Sequence, residues 1–143
     1  MKIWPVASLS VRTPASVSFV DVTHQVQEVI SSNGTWRGQC TIFVPHTTAG
    51  ITLNENWDPD VVRDMTISLE RIAPHLAEHR HSEGNSPSHL KTMLTGNSTT
   101  LLIEHGQLIL GSWQGIYLAE FDGPRTRKLH IRLMGEVNPA NSA

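Results

Sequence analysis

The chain has 143 residues, a size one domain usually fills, with 38% hydrophobic and 17% charged residues. That balance excludes the apolar-poor chains that stay disordered, and no apolar run approaches the length of a membrane span. A formal net charge of -2 gives no general electrostatic reason to expect nucleic acid or an anionic membrane as partner, so any phosphate must be held locally.

The first five residues lack the apolar stretch and cleavage site of a secretory signal, which makes cytoplasmic residence the default expectation. Residues 6–12 alternate apolar and polar positions and predict a half-buried strand. A helix follows, with Asp21 or Thr23 available to cap it, Val22, Val26, Val29 and Ile30 as its apolar stripe, and Asn33 and Gly34 as its stop. Residues 37–45 predict a strand rich in β-branched side chains and closed by Pro45. Within it Cys40, the single cysteine, reads as a buried structural thiol.

The best-marked helix starts at Asp58, whose carboxylate suits an N-cap, and Pro59, which fits a first turn. Val61, Met65, Leu69 and Ile72 recur at helical spacing up to the stop at Pro74. Residues 75–88 have no apolar period and predict a polar loop, followed by a short helix through Leu90, Met93 and Leu94 to Gly96. Strands are predicted at 99–104, 107–110, 115–121 and 128–133, with a turn at His105 and Gly106, and the tail from Asn138 is expected to fray. Strands so close in sequence pair most simply as antiparallel neighbours. The expected fold is therefore one α+β domain, residues 1–143, with an antiparallel sheet or sandwich flanked by helices.

Four segments could carry chemistry. His75, His79, His81 and His89 crowd one polar stretch, where neutral imidazoles could ligate zinc, and His81 and His89 can meet only if the loop folds back. The run from Pro45 to Gly50 ends a strand with His46, Thr47 and Thr48, which with nearby backbone amides could hold a phosphate or carboxylate oxygen. A plain turn whose threonines bond their own backbone is the alternative. Asn54, Glu55 and Asn56 lead into the helix near Asp58 and Asp60, where two carboxylates oppose an anion and favour a cation. Asn85 and Ser86 offer donors and acceptors beside Gly84, and Asp122, Gly123 and Pro124 mark a turn beyond which Arg125 presents a fork for carboxylate or phosphate. The four tryptophans, Trp4, Trp36, Trp57 and Trp113, are dispersed and read as core or interface packing rather than a stacking platform.

In order along the chain, PHTTAGITLNEN from Pro45, DPDV from Asp58, EGNS from Glu83, HLK from His89, LGSWQGI from Leu110 and EFDGPR from Glu120 closely resemble the YjbQ-like family. Two departures are mild: Trp57 stands where a small residue is common and would narrow the pocket entrance, and Ser88 precedes His89 where alanine is common. The resemblance implies a YjbQ-like β-sandwich with helices outside, a homotrimer with its polar site near a subunit interface, and gathering of His46, His81 and His89 around a metal or an oxyanion. It also implies a secondary thiamine-phosphate synthase activity, joining a pyrimidine methyl diphosphate to a thiazole phosphate. In that reaction a divalent metal (zinc, or Mg²⁺) and Arg125 would neutralise the leaving diphosphate. Thr47, Thr48, Asn85 and Ser86 would orient oxygens, and Asp58 or Asp122 would position a cationic partner. Two rivals share these residues: a zinc-dependent hydrolase with Glu55 or Asp58 as base, and a trimeric protein that binds a phosphorylated small molecule or metal without turnover.

Overall fold

The computed structural model describes residues 1–141. Its element order is β1 (Lys2–Ile3), β2 (Ala7–Arg12), β3 (Ser18–Asp21), α1 (Thr23–Asn33), β4 (Thr35–Phe43), β5 (Ala49–Glu55), α2 (Pro59–Ile72), α3 (Ser86–Thr95), β6 (Ser98–Glu104), β7 (Gln107–Leu108), β8 (Gln114–Glu120) and β9 (Thr126–Val137), closed by a 3-10 turn at Pro139–Asn141. Every strand pair is antiparallel. One sheet of six strands runs β1-β9-β4-β6-β7 with β2 also on β9, and a second runs β3-β8-β5.

The alternation in each sheet turns one face inward, where Cys40 and Ile42 of β4, Leu101 and Ile103 of β6 and Leu129, Ile131 and Leu133 of β9 meet Ile51 of β5 and Ile116 and Leu118 of β8. Helix α1 closes this core with Val26 and Ile30, both fully buried, and ends where Gly34 adopts the left-handed conformation a C-cap requires. The expected antiparallel α+β architecture is thus present.

Several local expectations need correction. Strands β3 and β5 add to the expected set: β3, four residues long, is too short to show alternation, and β5 begins with Ala49 and Gly50 and ends with Asn54 and Glu55, residue types that read as turn until pairing with β8 extends them. β9 extends well beyond 128–133, since pairing with β1, β2 and β4 holds its ends. α3 begins four residues before Leu90, with Pro87 in its first turn, so the polar loop is shorter than expected. The tail is tied where it is described: the Asn138 amide donates to Gly34 O at 2.7 Å and its side chain caps the Ala140 amide at 3.0 Å. Ser142 and Ala143 lie outside the described residues.

Candidate functional site

At the end of β4 the chain turns through Val44–Thr48 into β5, and this turn forms one wall of a cleft of about 700 Å³. Asn97, just before β6, fixes the turn: its side-chain amide donates to Val44 O at 3.1 Å and to His46 O at 2.8 Å. Gly50 is required here because a Cβ would lie 2.2 Å from Thr95 Oγ1 and 2.5 Å from Gly96 O. His46, Thr47, Thr48, Asn85, His89 and Arg125 all line the cleft, joined by Glu83, Asp122 and Arg127.

His46 is held by an uncommon bond. The Lys128 amide donates to His46 Nε2 at 2.9 Å, so that nitrogen is an acceptor and the ring proton resides on Nδ1. Burial holds its pKa below the ordinary imidazole value of 6.5; the charge of Arg127 lowers it further, while Glu120 opposes. At neutral pH the side chain is a neutral ring whose remaining donor is Nδ1–H.

Beneath the cleft, Glu120 is fully buried against Arg127, which is 4% exposed. Arg127 Nε donates to Glu120 Oε1 at 2.8 Å, and its Nη2 donates to Thr48 Oγ1 at 2.8 Å. Glu120 also accepts from Thr13 Oγ1 at 2.7 Å and from the Asp122 amide at 3.0 Å. Burial alone would push the Glu120 carboxyl up, but these donors outweigh it and hold the group below its usual range. The pair fixes Thr48 from below, and its other end supports the turn that carries Asp122.

Asp122 in turn bridges the remaining pieces. Its Oδ2 accepts from Asn85 Nδ2 at 2.8 Å and from Arg125 Nη2 at 3.1 Å, and Arg125 Nε donates to Asp122 O at 2.7 Å. Asp122 is therefore committed to Arg125 and Asn85 rather than to a cationic ligand. Asn85 occupies the N-cap position of α3 without making a side-chain cap, Pro87 brings no N–H to the first turn, and the Ser88 amide donates to Asn85 O at 3.0 Å; among the described residues the buried Asn85 Oδ1 has no partner. Ser88, the departure noted beside His89, anchors α3 by donating to Phe121 O at 2.6 Å.

The histidine loop does fold back: the Gly84 amide donates to His81 O at 3.0 Å, and the rings of His81 and His89 meet edge to face at 5.3 Å between centroids. His81 itself is exposed at the rim, and Ser86 sits in the first turn of α3 outside the cleft lining. Zinc would need three converging donors. The Lys128 amide occupies His46 Nε2, and among the described residues no group of three or more His, Cys, Asp or Glu is placed to hold a metal ion. The donors of one chain thus do not by themselves fit zinc.

Asp58, Glu55 and Trp57 lie elsewhere. Asp58 caps α2, accepting from the Asp60 amide at 2.9 Å, and lines a separate hollow with Trp57. Ala49 pairs with Glu120 at the cleft end of β5, whereas Glu55 pairs with Gln114 at the other end. Six residue steps at a rise of about 3.3 Å separate the two ends by about 20 Å. Within one chain Glu55 and Asp58 cannot act as bases beside His46, and Trp57 does not narrow its cleft. The tryptophans are also less dispersed than expected, since Trp57 and Trp113 meet at 6.2 Å between ring centroids. The buried Glu120–Arg127 pair and Asn97 escaped the sequence reading. A charged pair seven residues apart across a turn, flanking Arg125, was the available signal for the first.

Residues 7–136 match the family described as UPF0047 protein YjbQ-like. The chain belongs to that family. It is 45% identical over 129 residues to UPF0047 protein YugU of Bacillus subtilis, covering 90% of this chain and 98% of that one. A UPF0047 protein of Methanocaldococcus jannaschii is 43% identical over 126 residues, covering 88% and 91%. The crystal structure of a YjbQ/UPF0047 family protein from Clostridium acetobutylicum superposes with a TM-score of 0.87 at 44% identity, covering 90% of this chain and 99% of that one. A YjbQ-like protein of unknown function from Sulfolobus solfataricus reaches a TM-score of 0.88 at 30% identity, covering 94% and 99%. The YjbQ-like fold therefore persists where most side chains have changed. No helix among the described residues of this YjbQ-like chain is long and apolar enough to cross a membrane.

Proposed function

We propose that the His46 cleft binds the diphosphate of a phosphorylated small molecule in the cytoplasm and supports a thiamine-phosphate synthase-type transfer. The observation that carries this reading is the locked His46 ring. With Nε2 bonded to the Lys128 amide, Nδ1–H is a fixed donor in a cleft that also presents Arg125.

In the transfer, the C–O bond between the pyrimidine methylene and diphosphate breaks with its electron pair leaving on diphosphate. The thiazole nitrogen forms the new C–N bond and becomes cationic. No proton need be removed from the nucleophile, so the protein's work is to stabilise the departing charge and exclude water. His46 Nδ1–H and Arg125 would face the diphosphate oxygens, Thr47 would offer a hydroxyl at the rim, and Thr48 would be held in place by Arg127.

Calorimetric titration with inorganic diphosphate, followed by chromatographic detection of thiamine phosphate from the two substrates, tests both parts. His46→Ala should weaken diphosphate at least about tenfold, and losing one such donor should lower turnover by about 100-fold or more. Equal binding by wild type and His46→Ala overturns the site. Binding with no product overturns the transfer and leaves a phosphometabolite-binding protein.

A zinc-dependent hydrolase is the second reading, favoured by the meeting of His81 and His89. It requires a third donor from outside the chain, and the homotrimer implied by the resemblance could supply one. The outer face of the six-stranded sheet, where Phe43, Leu102 and Met134 are exposed, is the surface such a trimer would use. Stoichiometric zinc in protein purified without chelator, lost in His81→Ala, would favour this reading, and light scattering of the same sample gives the oligomeric mass.

A further inference from the structure

We propose that the hollow at the far end of the three-stranded sheet is a second binding site, for a small organic ammonium ion. Its volume is about 360 Å³, within the range of small-molecule sites, and Phe19, Trp57 and Tyr117 line it together with Asp21, Asn56 and Asp58. No lysine or arginine is among its lining residues.

Three features select a cation. Asp21 is ionised: burial pushes its carboxyl up, but donors from Thr23 and Asn56 outweigh this and hold it below its ordinary range. Asp58 adds a second carboxylate with Asp60 beside it, and these charges outweigh the half-positive end of α2. Burial, and then the charges of Asp21 and Glu55, push the Tyr117 hydroxyl up, as expected where the local field is negative.

Two features select an organic ammonium over a bare metal ion. Both Asp21 oxygens are committed, Oδ1 to the Thr23 amide at 2.9 Å and hydroxyl at 2.6 Å, Oδ2 to Asn56 Nδ2 at 3.0 Å. Three of the roughly four acceptor sites of Asp21 are thus taken, and it contributes field more than ligand atoms. The aromatic rings meet in pairs: Tyr117 OH donates to Glu55 O at 3.1 Å and Phe19 meets Tyr117 edge to face at 6.1 Å, while Trp57 meets Trp113 at 6.2 Å between ring centroids. Trp57 is nevertheless 78% exposed and Trp113 58%. Open aromatic rings beside carboxylates are the arrangement that attracts an alkylammonium head group through the ring quadrupole. At about 20 Å along β5 from the His46 cleft, this site stands or falls independently of the proposed reaction.

Calorimetry on the full chain with choline as probe tests the proposal, with 3,3-dimethylbutan-1-ol as its uncharged analogue. Choline should bind saturably and at least about tenfold more tightly than the alcohol, because only the cation gains from the rings and carboxylates. Trp57→Ala, at an exposed position, and Asp58→Asn, which keeps a competent helix cap, should each weaken choline severalfold while inorganic diphosphate binds as before. The proposal is overturned if choline does not saturate, if the alcohol binds equally well, or if Trp57→Ala leaves choline affinity unchanged. It is equally overturned if choline fails to bind and Trp57→Ala instead changes the oligomeric mass, which would mark the hollow as a contact with a second copy.

Discussion

Replacing Arg127 with methionine should be among the most damaging single changes in this protein. Methionine keeps the unbranched stem of arginine but ends where Nε stood, so it removes the two guanidinium bonds that Glu120 accepts, leaving a fully buried carboxylate with only the Thr13 hydroxyl and the Asp122 amide. Breaking a buried pair from one side costs about 3–5 kcal/mol, because the remaining charge is desolvated without compensation. For a domain of this size each kcal/mol lowers Tm by roughly 2–4 °C, so a fall of roughly 6–20 °C is expected. Urea unfolding at pH 7 and fixed protein concentration gives the free energy directly. Adding Glu120→Gln to Arg127→Met should recover much of the loss, since the orphaned charge is then gone. A cost for Arg127→Met below about 1 kcal/mol, the range of exposed pairs, would refute the reasoning.

Acidification should destabilise the protein in two stages. The folded pKa of His46 lies below its unfolded value of 6.5, so the unfolded chain takes up the proton first and stability declines as pH falls through that value. Glu120 is also depressed, so its contribution is present above the ordinary carboxylate range and is lost as pH falls through it. Thermal melts against pH should show both stages, with only the upper one missing in His46→Asn. Stability rising on acidification from about pH 7 to about pH 5 would contradict the assignment. Gly50→Ala should cost about 1–3 kcal/mol in urea unfolding, because the new Cβ must displace Thr95 and the Gly96 carbonyl. Cys40 is fully buried and its thiol pKa is pushed up to about 12 by burial, so a disulfide reagent should label native protein only as fast as it opens. A rapid labelling burst would show the thiol accessible.

Much of this fold is legible where local signals and tertiary environment agree. Asp58 and Pro59 start α2, Gly34 ends α1, and the alternation at 6–12 marks β2, because each signal acts through neighbours in sequence. β3 and β5 are opaque for the opposite reason: four residues in β3 are too few to show alternation, and the Ala49, Gly50, Asn54 and Glu55 ends of β5 read as turn until the chain pairs with β8. The cleft divides in the same way. The residue types of His46, Thr47, Thr48, Asn85, His89 and Arg125 announce polar chemistry, and the structure brings all six to one cleft. Proximity in motif misled at Asp58, since β5 carries the chain about 20 Å away before α2 begins. Arg127 is harder to place, because an arginine in a strand reads as an exposed position until its buried partner Glu120 is set opposite.

The central claim is that His46 presents Nδ1–H to an oxyanion while its Nε2 remains bonded to the Lys128 amide. A crystal structure of the protein with inorganic diphosphate tests it most directly. The predicted result is a diphosphate oxygen at about 2.7–3.1 Å from His46 Nδ1, with Arg125 on the same anion and the Lys128 bond intact. A His46 ring turned to place Nε2 on a metal ion, or diphosphate bound outside this cleft, would contradict it.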